Sequence, residues 1–337
     1  MAGAVQSGNF SKALPMNGGH GLYSYSKNCT YQNTICVSDM GCSVGPNTFV
    51  AVQNIVEAVL NKYQSQEHDH SSLPELQVFL NDHALNDFNT LFKSLPPNRN
   101  YYVAGMPGSF HGRLFPTDSL HIVHTSYALQ WLSQVPKVVE DVSSPAWNKG
   151  RIHYSSSADQ TVKAYADQFA GDLDCFLHVR AQEVVRGGLI ILMVPGRTDS
   201  SPHTRVFSNI SYDILGSCLV DLAKMGIISE EKVDSFNIPI YFSSPQEVEA
   251  TVERNGYFNL ERIECLPLEK SQDTIPQKSR AVSYHIRAGL EYLLKEHFGH
   301  EILDELFDSF NKKLEKSQVF QLGLTYSLLA VLKRKET

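Results

Sequence analysis

The chain is poor in the residues that build scaffolds and poor in positive charge. Its six cysteines (Cys29, Cys36, Cys42, Cys175, Cys218 and Cys265) are scattered through 337 residues with no Cys-x-x-Cys pair. That spacing indicates neither a zinc knuckle nor a disulfide framework, and the thiols read as reduced. No stretch approaches the ~20 apolar residues of a membrane span, so no membrane partner is expected. The opening Met-Ala-Gly-Ala-Val-Gln-Ser-Gly lacks a secretory hydrophobic core, and the expected location is cytoplasmic. Without a secretory signal, the sequons at Asn9, Asn28 and Asn209 carry no weight. The formal charge is -7, and no basic run exceeds Lys333-Arg334-Lys335. A phosphate backbone needs clustered Lys and Arg, so no nucleic acid partner is expected. No internal repeat is visible, and the length allows one large core or two smaller ones.

Against these absences stands one informative segment. From Ile35 to Asn47 the chain reads Ile-Cys-Val-Ser-Asp-Met-Gly-Cys-Ser-Val-Gly-Pro-Asn. This is a short apolar strand ending in the carboxylate of Asp39, then a glycine turn that opens a helix. Gly41 and Gly45 remove side chains where backbone approaches a ligand, and the carboxyl end of a strand is where open α/β sheets bind. Phe49, Val52, Val56, Val59, Leu60 and Tyr63 then share one helical face, with Pro46 where a first turn tolerates it.

Several ligands suit such a turn. A dinucleotide fingerprint needs a third glycine, and a P-loop needs Gly-Lys-Ser/Thr; neither is present. Gly41-Cys42-Ser43-Val44-Gly45 does satisfy the nucleophile-elbow pattern of α/β-hydrolases, with Ser43 as nucleophile. Against that reading, an elbow normally follows several strands, and Asp39 sets a negative charge beside a developing oxyanion. S-adenosylmethionine (SAM) fits better, because its amino and sulfonium groups are cationic and its ribose hydroxyls need an acceptor. Leu76, Val78, Phe79 and Leu80 form a second buried run closing in Asn81-Asp82, which supplies that carboxylate. Taken alone, Asp82 reads more readily as a helix cap or turn former before Ala84, and it is the succession of two strand-terminal aspartates that favours the ligand reading.

The chain divides by composition and period. Residues 1–32, rich in Gly, Ser, Asn and Tyr, read as an N-terminal lid or arm. Residues 33–200 read as an α/β core, with strands at Tyr101 to Gly105, Leu120 to Ser126 and Leu189 to Val194 and a helix from about Thr161 to Val185. Residues 201–250 and 268–320 read as a helical cap, with stripes at Ile214, Leu215, Cys218, Leu219, Leu222 and Met225 and at Ile302, Leu303, Leu306, Phe307, Phe310 and Leu314. Segments 251–267 and 321–337 return as strands and complete a seven-stranded sheet as an antiparallel edge pair. His68-x-His70 lies in a polar loop and reads as a solvated tip.

Linked motifs run through nearly the whole chain. They are Met16-Asn17-Gly18-Gly19 with Ser24-Tyr25; Asp39-Met40-Gly41-Cys42-Ser43 with Gly45-Pro46-Asn47; Phe79-Leu80-Asn81-Asp82 with Asn86-Asp87-Phe88-Asn89; Pro107-Gly108-Ser109-Phe110; Ser126-Tyr127 with Trp131-Leu132-Ser133; and Phe236-Asn237-Ile238-Pro239. In this the chain resembles the plant SABATH methyltransferases, which use SAM to methylate carboxyl groups of small metabolites or ring nitrogens of xanthines. The resemblance implies a Rossmann-like class I core, a seven-stranded mixed sheet flanked by helices, with an inserted α-helical cap. It implies that Tyr25, Asp39, Gly41, Asn47, Asp82, Ser109, Phe110 and Ser126 line the SAM pocket, leaving S-adenosylhomocysteine (SAH) as product.

For the acceptor, the resemblance implies that Gln32 and Trp131 aim a carboxylate with neutral N–H donors, with Tyr25, Tyr127, Gln130, Ser211, Tyr212, Tyr241 and Ile286 around it. A carboxylic acid with a pKa of ~4 is already ionised at neutral pH and needs no general base. Without the resemblance, Phe110 and Trp131 read as core aromatics and Gln32 as a surface amide. Salicylate-selective members carry methionine where this chain has Gln130, so a larger, more oxygenated acceptor is expected, of the terpenoid type that includes loganic acid. Asn148, Asp234, Phe236 and Asn237 match positions that hold a structural magnesium ion in some members, although a hydrogen-bonded turn reads equally well. A homodimer is implied. N-methylation of a xanthine stays open as the alternative within the family, and a hydrolase using Ser43 or a binding protein without turnover as alternatives outside it.

Overall fold

The computed structural model describes residues 34–66, 73–268 and 271–336. Its centre is a seven-stranded sheet in the order β3-β2-β1-β4-β5-β7-β6. The strands are β1 (Thr34–Met40), β2 (Glu75–Asp82), β3 (Tyr102–Pro107), β4 (Leu120–Ser126), β5 (Val184–Gly196), β6 (Phe258–Pro267) and β7 (Tyr326–Arg334). β1 to β5 pair in parallel, and β7 runs antiparallel between β5 and β6. The sheet is therefore mixed and seven-stranded, as the sequence predicts.

Strand order reverses at β1, which has β2 on one side and β4 on the other. A crevice opens at such a switch point, outside the carboxyl ends of the strands. The last four residues of β1, Val37 to Met40, are all buried, as a strand covered on both faces requires. Helix α1 (Asn47–Gln66) covers one side of β1 and β2 through Phe49, Val52 and Val56; α2 (Phe88–Lys93) adds Leu91. Helix α3 (Asp159–Glu183) packs Tyr165, Phe169, Leu173, Phe176 and Leu177 into the core of the β4, β5 and β7 half.

The remaining helices are α4 (Phe207–Lys224), α5 (Glu230–Asp234), α6 (Pro245–Asn255), α7 (Ile275–Phe298), α8 (Leu303–Lys316) and α9 (Val319–Leu322). α4, α7 and α8 bury a second core built from the two expected stripes, Leu215, Cys218, Leu219 and Leu222 facing Leu303, Leu306, Phe307, Phe310 and Leu314. Met225 departs from its stripe and is 60% exposed, because α4 ends at Lys224. α6 also departs from the expected division. Its Val248 and Val252 join the sheet-side core and it packs on α3 and β6, so 245–250 lie with the core, not the cap. The lid and its residues Tyr25 and Gln32 lie outside the described residues, as does the His68-x-His70 loop.

Candidate functional site

The turn after β1 is built around one glycine. Gly41 has φ +79°, and a Cβ there would lie 2.3 Å from the Cβ of Ala128, so only glycine fits. Its N–H and that of Cys42 donate to the Asn81 carbonyl at 2.9 and 3.0 Å. The Ser43 N–H donates to Asp82 Oδ2 at 2.7 Å. The two strand ends are thus stitched together, and the turn stands beside a carboxylate. A Cβ on Gly45 would meet nothing within 4 Å, so the turn borders open space there. Asn47, exposed, is the first residue of α1.

Asp82 is partly exposed, and its Oδ1 accepts from the His83 N–H at 2.7 Å. With one bond on each oxygen, a carboxylate keeps lone pairs for two vicinal hydroxyls. Asp39 differs from its expected open position. It is 3% exposed, paired with His124 Nδ1 at 2.7 Å, and accepts a hydrogen bond from the Thr48 hydroxyl. The cause is register: Asp39 and His124 are partners on β1 and β4, so the imidazole fills the space beside the carboxylate. Ser126 closes β4, half-buried at the crevice edge.

Opposite the glycine turn, the segment after β3 carries Ser109 and Phe110. Ser109 is exposed, whereas Phe110 is 8% exposed, its ring 4.7 Å from that of His111 and 6.1 Å from that of Phe176. Its Cε1 lies 3.7 Å from where a Gly41 Cβ would stand, so Phe110 is both core and neighbour of the turn. Two residues that sequence reasoning missed hold this segment. Arg180, fully buried on α3, donates to the Phe110 carbonyl at 3.1 Å and the Gly112 carbonyl at 2.7 Å. Glu183, also fully buried, lies 2.8 Å from Arg180 Nε and accepts from the N–H groups of Leu114 and Phe115. Burial lowers the Arg180 pKa, and the charge of Glu183 opposes that shift. In the sequence the pair is an ordinary i, i+3 couple on a helix, and nothing marks it as buried.

The described residues expected to meet the acceptor fall near the junction of sheet and cap. Residues 130–132 pair with 239–241: the Tyr241 N–H donates to the Gln130 carbonyl at 2.9 Å, and the Leu132 N–H to that of Pro239 at 2.8 Å. Trp131 packs against the cap core with its Cζ2 3.9 Å from the Cβ position of Gly289 on α7. Val282, Ile286 and Gly289 share that helical face. The same face meets α4 in a pocket of about 270 Å³ lined by Phe207, Ser211, Tyr212, Val282, His285 and Ile286. Ser211, Tyr212 and Ile286 therefore line one pocket, and Trp131 packs against α7 near Gly289.

Two further expected residues have hydroxyls with partners elsewhere in the protein. Tyr241 is 1% exposed, its hydroxyl donating to Glu247 Oε1 at 2.6 Å within the sheet-side core. The Tyr127 hydroxyl is bonded to Ser327 Oγ on β7. Ser211 lines the pocket, but its hydroxyl donates to the Phe207 carbonyl of its own helix at 2.9 Å. Gln130, 8% exposed, donates from Nε2 to the Tyr127 carbonyl at 2.7 Å, which fixes the amide; its buried Oε1 has no partner among the described residues.

The comparisons with known proteins agree with this geometry. The profile of the SAM dependent carboxyl methyltransferases matches residues 31–335. The chain belongs to that family. It is 42% identical to loganic acid O-methyltransferase of Catharanthus roseus over 358 aligned positions, covering 96% of this chain and 95% of the relative. It is 36% identical to 3,7-dimethylxanthine N-methyltransferase of Camellia sinensis var. assamica, covering 97% and 98% of the two chains. A solved loganic acid methyltransferase with SAH superposes with a TM-score of 0.85 at 42% identity, covering 96% of this chain and 99% of that one. The chain is thus a SABATH enzyme with the class I methyltransferase fold, SAM as methyl donor and a carboxylic acid as acceptor class.

For this carboxyl methyltransferase, the glycine turn, the open side of Gly45 and the free lone pairs of Asp82 fit the donor. Magnesium fits less well. Asn148, 1% exposed, donates to Asn237 Oδ1 at 2.8 Å and the His153 carbonyl at 3.3 Å, and its Oδ1 accepts from Ser157. Asp234 accepts from the Gly150 N–H at 2.6 Å. Of the buried side-chain atoms in this group, the one without a partner among the described residues is Asn237 Nδ2, a donor, which is the wrong sign for a cation; Asp234, partly exposed, has one oxygen engaged by the Gly150 N–H. Asn148, Asp234, Phe236 and Asn237 do meet, in a hydrogen-bonded turn. The elbow reading of Ser43 also lapses with the family: Ser43 is exposed, its carbonyl accepts from Asn86 at 3.1 Å, and among the described residues no histidine is bonded to it.

Proposed function

We propose that the acceptor is a hydroxylated, terpenoid-type plant acid related to loganic acid, methylated on its carboxylate to a methyl ester. The observation that carries this reading is Gln130 Oε1, a buried acceptor with no partner among the described residues, whose amide orientation is set by the Tyr127 carbonyl. A buried acceptor left unmade is costly, and a substrate hydroxyl satisfies it where a bare aromatic ring does not. The 42% identity to a loganic acid methyltransferase supports the same class. SAM supplies an electrophilic methyl. Trp131 and Gln32 present N–H groups to the acid, aiming one oxygen in line with the sulfonium without neutralising it; Asp82 and Phe110 fix the adenosine end. Tyr25, Asn47 and Ser126 complete the donor pocket, and Ile286 and Tyr212 the acceptor wall. A cytosolic homodimer completes the proposal, supported by the family resemblance and by free thiols at Cys36, Cys42, Cys175, Cys218 and Cys265.

The test is a panel of loganic acid, salicylic acid, benzoic acid and a xanthine with labelled SAM. Loganic acid should give the highest kcat/KM, and Gln130→Met should narrow its lead over salicylate. Trp131→Ala should lower kcat/KM for the acid by roughly 10- to 100-fold, the range of a charge-assisted hydrogen bond, with the SAH Kd unchanged. Turnover of the xanthine with no acid methylated would overturn the reading.

A further inference from the structure

The segment 108–115 has no regular structure, yet it carries Ser109 and Phe110 and is anchored in the core by its two buried residues, Phe110 and Phe115. Buried irregular backbone must find partners for its N–H and C=O groups. Here they come from two sides. Asn81 Nδ2 donates to the Met106 and Gly108 carbonyls at 2.7 and 2.9 Å. From α3, Arg180 takes the carbonyls of Phe110 and Gly112, and Glu183 the N–H groups of Leu114 and Phe115. Arg180 Nη1 also lies 2.9 Å from Met40 Sδ, at the entry to the glycine turn. One fully buried guanidinium therefore touches both segments that face each other across the donor site.

We propose that Arg180 and Glu183 are positioning residues for the methyl donor: the pair locks the 108–115 segment so that Ser109 and Phe110 stand at a fixed distance from the Gly41 turn. This rests on the reading that Phe110 and Ser109 meet the adenosine end of SAM. The physical argument is one of economy of charge. Taking two opposite charges out of water has a desolvation cost that apolar side chains of equal volume avoid, so helix packing alone does not call for them. The charges supply four directed hydrogen bonds, all to one segment. A planar guanidinium holds two carbonyls in a fixed fork, whereas the donors of an ammonium rotate about a single point. Asn81 serves the same end from the sheet, since its carbonyl holds the Gly41 turn while its amide holds Met106 and Gly108.

The test uses the full-length enzyme with loganic acid, or the best acid of the panel, as acceptor. The double variant Arg180→Met/Glu183→Gln removes both charges together, so that no lone charge is left buried. SAH Kd by calorimetry and the KM for SAM should rise about tenfold or more, while the acid KM at saturating SAM stays within about twofold. Leu173→Ala, on the same helix and 2% exposed, is the comparator: it should lower Tm but leave the KM for SAM unchanged. If the double variant does not fold, Arg180→Lys keeps the charge pair and should show the same one-sided loss. An unchanged KM for SAM, or equal losses in donor and acid KM, overturns the proposal. Phe110→Ala separates the two levels. If it leaves donor affinity intact, the adenosine reading itself is wrong; if it weakens donor binding while the Arg180 and Glu183 variants do not, only the positioning role is.

Discussion

The close approach of Gly41 to Ala128 can be taken apart energetically. A Cβ at position 41 meets two penalties: a backbone at φ +79°, and an ideal contact of 2.3 Å with the Ala128 Cβ, where ordinary contacts begin at 3.4 Å. The left-handed backbone costs a non-glycine residue about 1–2 kcal/mol. Overpacking by one methyl in a filled site costs about 1–3 kcal/mol. Gly41→Ala should therefore destabilise by roughly 2–5 kcal/mol, less about 0.4–1 kcal/mol regained from a stiffer unfolded chain. Only the steric part belongs to Ala128. Ala128→Gly, a buried site at 7% exposure, should be mildly destabilising alone and should recover about 1–3 kcal/mol in the double variant, leaving the backbone penalty in place. Urea unfolding of the four proteins followed by circular dichroism gives the coupling, and SAH calorimetry on the folded variants reports whether the turn is restored. Additivity, with no rescue by Ala128→Gly, would refute the claim that the 126–128 segment fixes the glycine.

Two further outcomes follow from the buried polar groups. His153 is fully buried and its pKa is lowered to about 3 by desolvation, so the unfolded chain takes up a proton that the folded chain refuses; stability is lost as pH falls below about 6.5. Between pH 7 and 5 the wild type should lose about 2 kcal/mol more than His153→Gln, and equal losses in urea melts would show that His153 is not held neutral. For the Asn148 and Asn237 turn, EDTA or added magnesium should change kcat/KM by less than about twofold, since the oxygens already have donors. A loss in EDTA reversed by magnesium would mean that these amides rearrange around a cation.

The sheet was legible because each strand is an apolar run closed by turn residues, and because chemistry at a parallel sheet falls where strands end. Gly41 and Asp82 follow from that rule alone. The helical stripes of α4 and α8 were equally plain, since 3.6-residue periodicity records the buried face directly. α6 was misplaced because its local signals, Ser244 and Glu247 in a capping box with Pro245 at the first turn, read the same whichever core receives the helix. The hydroxyls were the least legible. Tyr127, although 42% exposed, finds a partner 200 residues away on β7, and the buried Tyr241 finds Glu247 six residues on; sequence gives a phenol's capacity to bond, not its partner. Arg180 and Glu183 were hidden for the opposite reason, because a buried i, i+3 pair and a solvated one are spelled alike.

Relatives named for acid and for xanthine chemistry cover nearly the same share of this chain, at 42% and 36% identity. A scaffold common to both cannot itself decide between an oxygen and a nitrogen nucleophile. On the donor side, Asn81, Asp82, Arg180 and Glu183 act through backbone groups or charge, and none of these contacts depends on what is methylated. On the acceptor side, the proposed function assigns discrimination to a few side chains between β4 and the cap, chiefly Trp131, Gln130 and the α7 face at Ile286. On that proposal, the Gln130 acceptor, without a partner among the described residues, discriminates through the cost of leaving it unmade, about 1–3 kcal/mol, which is roughly 5- to 150-fold in kcat/KM. That is enough to rank acids that carry or lack a hydroxyl at this place. Exchange of acid for xanthine calls for a change in the carboxylate-aiming donors themselves, so Gln130→Met should reorder acids without conferring xanthine turnover.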